Sequence, residues 1–267
     1  MSGSASRHAY VVSGSSLTQV GTVEGPPEGL RNPLDATKRV RAVLFDLDGT
    51  LYDQRRMRAS MAAELLLLPL RQPREAIRTF RGLRAYRKAL EHLRSDALSP
   101  TGTFAPDAQL ERAATRCAIP ETELALIVEE WMVQRPLKHM AACRPAGLVD
   151  LLKHLEAAGV ELGVLSDYPG RAKLAALGIA EYFSVVLSTS DVGAVKPNPR
   201  GFLEAARRWQ LVPGEVLVVG DRLDADAAGA AAAGMPCVVI GSTASNGQRG
   251  DALILPSLER LHRVLVN

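Results

Sequence analysis

The segment that most constrains this chain is Val43-Leu44-Phe45-Asp46-Leu47-Asp48-Gly49-Thr50. An apolar run with strand character delivers two carboxylates, two residues apart, onto a glycine turn. Side chains alternate along an extended backbone, so Asp46 and Asp48 share one side while Leu47 points away. Two acids this close are costly to keep ionised together unless a cation lies between them or one holds a proton. Taken alone, the segment is equally consistent with a strand that ends in a solvated acidic turn.

Three downstream segments repeat the design. Leu162-Gly163-Val164-Leu165 runs into Ser166-Asp167, and Val216-Leu217-Val218-Val219 runs into Gly220-Asp221, with Asp224 and Asp226 following. Between them a lone lysine, Lys196, precedes Pro197-Asn198-Pro199, where Asn198 reads as a helix N-cap and Pro199 as the first helical residue. Continuous apolar strands separated by amphipathic helices indicate a parallel sheet covered on both faces. In such sheets the ligand site lies beyond the carboxyl ends of the strands, where the strand order reverses. Asp46, Ser166 and Asp221 all fall at such ends, which solvated turns do not explain.

Read in order, Asp46-Leu47-Asp48-Gly49-Thr50-Leu51, Ser166, Lys196 and Gly220-Asp221-Arg222-Leu223-Asp224-Ala225-Asp226 resemble the four motifs of the haloacid dehalogenase superfamily, and specifically its phosphatases. The alanine- and glycine-rich stretch from Ala228 to Met235 resembles the helix after the fourth motif, and the likeness extends over roughly residues 40–265. It implies an α/β fold: a three-layer, Rossmann-like parallel sheet with an inserted all-helical cap. Residues 39–52 and 144–267 are expected to form the core, 53–143 the cap, and 1–38 a disordered tail in which Tyr10-Val11-Val12 can pair as a short strand. Within the insert the helical pattern covers 55–68, 74–94, 107–116 and 121–135, broken by Pro69, Pro73, Pro100 and Pro120.

The resemblance also implies a chemistry. Asp46 attacks phosphorus to give an aspartyl-phosphate. Asp48 protonates the leaving alcohol and then takes a proton from water. Mg2+, which suits an all-oxygen site, is expected on the carboxylates of Asp46 and Asp221 and the backbone carbonyl of Asp48. Thr50, Ser166, Asp167 and Lys196 are expected around the phosphoryl group, with Thr50 orienting Asp48 and Asp226 one layer behind the metal ligands. One departure stands out: the family often carries asparagine where this chain has Asp167, and a carboxylate beside phosphate is unfavourable unless it turns away or meets a cation. Asp224 is expected to be a helix cap. Phe202, Leu203 and Trp209 are expected in the core, Trp131 packs in the cap or meets substrate, and Tyr52 and Asp53 are candidates for the entrance.

Composition excludes other classes. The chain has 267 residues with 47% hydrophobic content, ordinary for a globular protein. Cys117, Cys143 and Cys237 lack paired spacing, which fits a reducing, cytoplasmic setting better than a disulfide framework. The five histidines show no zinc-ligand spacing. No run approaches the ~18 apolar residues of a membrane span, and no export signal is evident. Residues 53–100 hold eleven Lys or Arg against five Asp or Glu. Arg74, Arg78, Arg81, Arg84 and Lys88 recur at helical spacing opposite Ile77, Phe80, Leu83, Leu90 and Leu93. That basic face is either solvated, or draws in an anionic substrate, or touches an acidic membrane or protein. The run Leu65-Leu66-Leu67-Leu68 reads as cap core. The expected partner is a small phosphorylated substrate, with no nucleic acid. Alternatives on the same residues are a phosphomutase or phosphotransferase and a non-catalytic regulatory protein.

Overall fold

A computed structural model of the protein describes residues 8–13, 16–22, 40–67, 72–97, 108–241 and 252–266. Of the expected N-terminal tail, β1 (His8–Ser13) and β2 (Ser16–Thr22) pair antiparallel, with Val11 opposite Thr18 and Val12 opposite Leu17. The rest of residues 1–38 lies outside the described residues.

The core is a six-stranded sheet. Its strands are β3 (Ala42–Phe45), β4 (Glu161–Ser166), β5 (Val185–Ser188), β6 (Val216–Gly220), β7 (Cys237–Ile240) and β8 (Ala252–Leu255). Every pairing is parallel, in the order β5-β4-β3-β6-β7-β8. The chain therefore starts in the middle, builds outward on one side, and returns to build on the other. The reversal falls at β3, whose end carries Asp46. The expected three layers follow from alternation along β3. Val43 and Phe45 face one buried cluster with Leu148, Leu151, Leu152 and Leu155, while Ala42 and Leu44 face another with Phe202, Ala205 and Ala206.

The helices are α1 (Gln54–Leu67), α2 (Pro73–Ala97), α3 (Ala108–Cys117), α4 (Glu121–Val128), α5 (Arg135–Leu137), α6 (Leu148–Ala157), α7 (Arg171–Leu177), α8 (Thr189–Val192), α9 (Arg200–Trp209), α10 (Ala228–Ala233) and α11 (Leu258–Val266). A π-helical stretch, Glu129–Gln134, joins α4 to α5, and a second, Leu223–Ala227, precedes α10. The segment α1–α5, between β3 and α6, begins and ends side by side at the core, because the Asp53 amide donates to the Cys143 carbonyl at 2.8 Å. The segment α2–α4 has its own buried cluster of Ala85, Ala89, Ala113, Ala114, Cys117, Ile119 and Leu124. A smaller cluster joins Leu90 and Leu93 to Val195 of the core, with Tyr168 packed beside it.

Several packing expectations change. The buried face of α2 is made largely of small residues, Ala76, Thr79, Gly82, Ala85 and Ala89, while Ile77 and Phe80 are exposed. Gly82 explains the choice: a Cβ there would lie 2.9 Å from Leu124 Cδ1, so α4 lies too close for larger side chains. Leu66 and Leu67 are exposed, not core, and Leu68 lies outside the described residues. On α9, Phe202 is buried and Trp209 lies over Gly163, but Leu203, a step of about 100° round the helix from Phe202, is 37% exposed. Strand β8, Ala252–Leu255, was not expected. All three cysteines are buried and free.

Candidate active site

The site forms where β3, β4 and β6 end. The Asp46 amide donates to the Val219 carbonyl at 2.8 Å, which ties the end of β3 to β6. Beyond it the backbone turns at Gly49, whose φ of +107° is a conformation glycine tolerates and other residues rarely adopt. The same glycine lets another acid in: a Cβ at Gly49 would lie 2.2 Å from Asp221 Oδ2. Gly220 does likewise for Asp226, whose Cγ would lie 2.3 Å from a Cβ there.

Among the described residues, Asp46, Asp221 and Asp226 each place one carboxylate oxygen within 4.8 Å of the others. The ammonium of Lys196 reaches into this group, 2.5 Å from Asp46 Oδ1 and 2.7 Å from Asp226 Oδ1, and also donates to the Leu165 carbonyl at 3.2 Å. Asp226 Oδ2 accepts from the Asp221 and Arg222 amides, so the π-helical turn after β6 wraps its own carboxylate. Three carboxylates against one ammonium leave two negative charges, a balance that suits a divalent cation. The donors are all oxygens, as a hard cation prefers.

Proton affinities follow from this crowding. Asp46 is held well above the ordinary carboxylate range, first by burial and then by Asp226, Asp221 and Asp48, with Lys196 opposing. Asp221 is pushed up to about 6, again by burial first and then by Asp226. Burial pulls Lys196 down, but Asp226 and Asp46 outweigh it and hold it well above the lysine range.

Asp48 has a different environment. Its Oδ1 accepts from Tyr52 Oη at 2.7 Å and from Lys173 Nζ at 2.6 Å. Burial raises this carboxyl, yet the Lys173 charge and the two hydrogen bonds prevail and hold it below the usual range. Its side chain is not among the clustered oxygens; the metal contact expected of Asp48 is its backbone carbonyl. Thr50 Oγ1 donates to Asp46 Oδ2 at 3.2 Å. It therefore orients Asp46, not Asp48 as expected, because residues four apart meet across the tight turn. Ser166 is fully buried at the end of β4, and its Oγ accepts from the Tyr168 amide at 3.3 Å.

Asp167 follows Ser166 at the end of β4, and its carboxylate is paired with Arg94 of α2. A cation from the helical segment thus answers the departure from asparagine. Asp224 caps no helix: it is exposed and paired with Arg222. Trp131 is buried, with the Arg135 guanidinium 4.3 Å above its ring. Lys173 and Arg94 were not foreseen as site residues. Lys173 had a signal, because it falls four residues before the core Leu177 and so lies on the apolar side of α7.

Comparison with known proteins agrees with this geometry. Residues 40–234 match the model of the haloacid dehalogenase-like hydrolase family. A glyceraldehyde 3-phosphate phosphatase of Methanopyrus kandleri is 32% identical over 207 residues, 75% of this chain and 84% of its own length. A phosphoglycolate phosphatase of Salmonella typhimurium is 32% identical over 219 residues, 77% of this chain and 82% of its own. Among solved structures, a HAD phosphatase from Thermococcus onnurineus superposes with a TM-score of 0.56 at 24% identity, covering 85% of this chain and 98% of that one. A 2-haloacid dehalogenase from Pseudomonas syringae superposes with a TM-score of 0.58 at 26% identity, with the same coverage. The chain belongs to the haloacid dehalogenase-like hydrolase family, and within it to the hydrolases of phosphoric monoesters. Among the described residues no helix is long and apolar enough to cross a membrane.

Proposed function

We propose that this phosphatase hydrolyses small phosphate monoesters through an aspartyl-phosphate on Asp46, with magnesium as its cation. The observation that carries the proposal is the convergence of Asp46, Asp221, Asp226 and Lys196 on one buried centre. The two phosphatase relatives act, by name, on three-carbon and two-carbon phosphates, and substrates of that size are the first to test.

Asp46 forms a bond from a carboxylate oxygen to phosphorus while the ester P–O bond breaks, and its electron pair passes to the alcohol oxygen. That oxygen takes a proton from Asp48. Asp48 then accepts a proton from water as the water oxygen bonds to phosphorus and Asp46 is released. Thr50 and Lys196 fix the two oxygens of Asp46, and Lys196 with the Ser166 hydroxyl offers positive charge and a donor to the phosphoryl oxygens. Asp46, Asp221 and Asp226 would hold magnesium, which would supply charge cancellation between nucleophile and phosphate. Residues 53–143 serve as a cap over this site, and Arg94 reaches from it to Asp167 at the mouth.

A panel of phosphate esters incubated with magnesium and scored for free phosphate tests the proposal. Release from two- and three-carbon esters supports it. Transfer to a second alcohol with no free phosphate would replace hydrolysis with phosphotransfer.

A further inference from the structure

Lys173 and Tyr52 have no place in the chemistry above, yet both are buried against the residue that handles its protons. Lys173 is 5% exposed and Tyr52 5% exposed. Burying an ammonium costs several kcal/mol, and an apolar side chain of similar size usually serves stability as well or better. A lysine kept there is better explained by its partner. The fold brings it in deliberately: Gly170 opens α7, and a Cβ there would lie 3.0 Å from Leu47 Cδ2, so the helix start presses against the acidic turn. The Lys173 ammonium also lies 5.8 Å from the centre of the Tyr52 ring, so the two donors support each other.

Both donors fall on the same oxygen. Asp48 Oδ1 takes Lys173 at 2.6 Å and Tyr52 at 2.7 Å, and no donor among the described residues reaches Oδ2. The carboxyl therefore cannot rotate without breaking two short hydrogen bonds, one of them to a charged group. We propose that Lys173 and Tyr52 are positioning residues that divide the oxygens of Asp48, with Oδ1 as the anchor and Oδ2 as the oxygen that exchanges protons. The proposal rests on the reading of Asp48 as acid and base. In the first half-reaction the proton leaves Oδ2 for the alcohol oxygen as the ester P–O bond breaks. In the second half-reaction Oδ2 takes the proton of the attacking water while the bond from phosphorus to Asp46 breaks. Lys173 and Tyr52 keep their own protons throughout.

The test compares kcat/KM, which reports the steps up to departure of the alcohol, for an alkyl phosphate and for nitrophenyl phosphate. The second leaving group departs without a proton. Lys173→Met should lower kcat/KM for the alkyl ester by about 100-fold, as expected when a proton-transfer group is misplaced. The nitrophenyl ester should change by less than about threefold. Lys173→Arg should recover most of the loss. Tyr52→Phe, which keeps the ring and removes one hydroxyl, should show the same selective loss at about tenfold, and it carries the test if Lys173→Met does not fold. In an Asp48→Asn background neither substitution should lower the rate further. Equal losses on both esters, or additive losses in that background, would overturn the positioning role while leaving the phosphatase intact. A wild-type protein inert on both esters would overturn both.

Discussion

If Asp46, Asp221 and Asp226 form a cation site, the cation-free protein should be more stable in mild acid than at neutral pH, and magnesium should erase the difference. Asp221 is raised to about 6, first by burial and then by Asp226. An acid whose folded pKa lies above its unfolded value makes the folded state bind more protons, so stability falls as pH rises through that window. The cost is absent below about pH 4 and fully present above about pH 6. A rise of roughly two units corresponds to about 3 kcal/mol, at about 1.4 kcal/mol per unit. Asp221 is partly exposed, and solvent screening reduces this to about 1–2 kcal/mol. Asp46 shifts in the same direction, also chiefly through burial. The acids held low act further down: Glu64 and Glu204 lie at about 2, and their stabilisation is lost only below the ordinary carboxylate range. Between about pH 7.5 and about pH 5, which recovers about half of this cost, the protein in chelator should therefore gain about 1–4 °C in Tm from Asp221, at about 2–4 °C per kcal/mol for a chain this long. Thermal unfolding followed by circular dichroism, with chelator and with magnesium, measures this directly. Asp221→Asn should shrink the gain. A Tm in chelator that is flat or falls on acidification would refute the assigned charge balance, and so would an equal magnesium effect at both pH values.

Asp46→Asn should abolish phosphate release with Tm nearly unchanged or raised, and residual turnover within about tenfold of wild type, checked by phosphate assay, would exclude the covalent route. Gly49→Ala should lower kcat/KM by about 100-fold, because the new Cβ at 2.2 Å must displace Asp221 Oδ2. The positive φ adds about 1–3 kcal/mol of strain, so a variant with normal magnesium dependence would show that Asp221 is not needed where it stands. Arg94→Ala leaves Asp167 uncompensated at the mouth of the site, and KM for an anionic ester should rise by about tenfold or more. Adding Asp167→Asn should restore it, and a KM within twofold of wild type in the single variant would refute the pairing's role.

The sheet and the strand-end acids were legible because each rests on a local pattern. A run such as Val216-Leu217-Val218-Val219 buries both faces, and Gly220-Asp221 marks where it stops. The partners of those acids were less legible, since they depend on which elements approach. Lys196 could be placed by its order in the chain. Lys173 reads as one more charge on a short helix until Gly170 is seen to let α7 meet Leu47. Arg94 lies in a helix whose other arginines face solvent, and nothing local distinguishes it from Arg84 or Arg87. The exposure of Ile77 and Phe80 escaped for the opposite reason. A helical apolar pattern predicts that a face is buried, but close packing on α4 selected the face with Gly82 and alanines instead.

Two acids two residues apart raise a question of charge, and the structure answers it with two lysines from different elements. Asp48 has Lys173 to itself, so the pair is neutral and needs no further cation. Asp46 has only a share of Lys196, because the same ammonium also serves Asp226, and among the described residues no cation is paired with the Asp221 carboxylate. The surplus negative charge therefore lies wholly on the side of Asp46. A divalent cation is drawn to the carboxylate that must approach phosphate, where its charge is needed. A single residue of separation along the turn is enough for this division, because Leu47 points into the core and sends its two neighbours to different counter-ions.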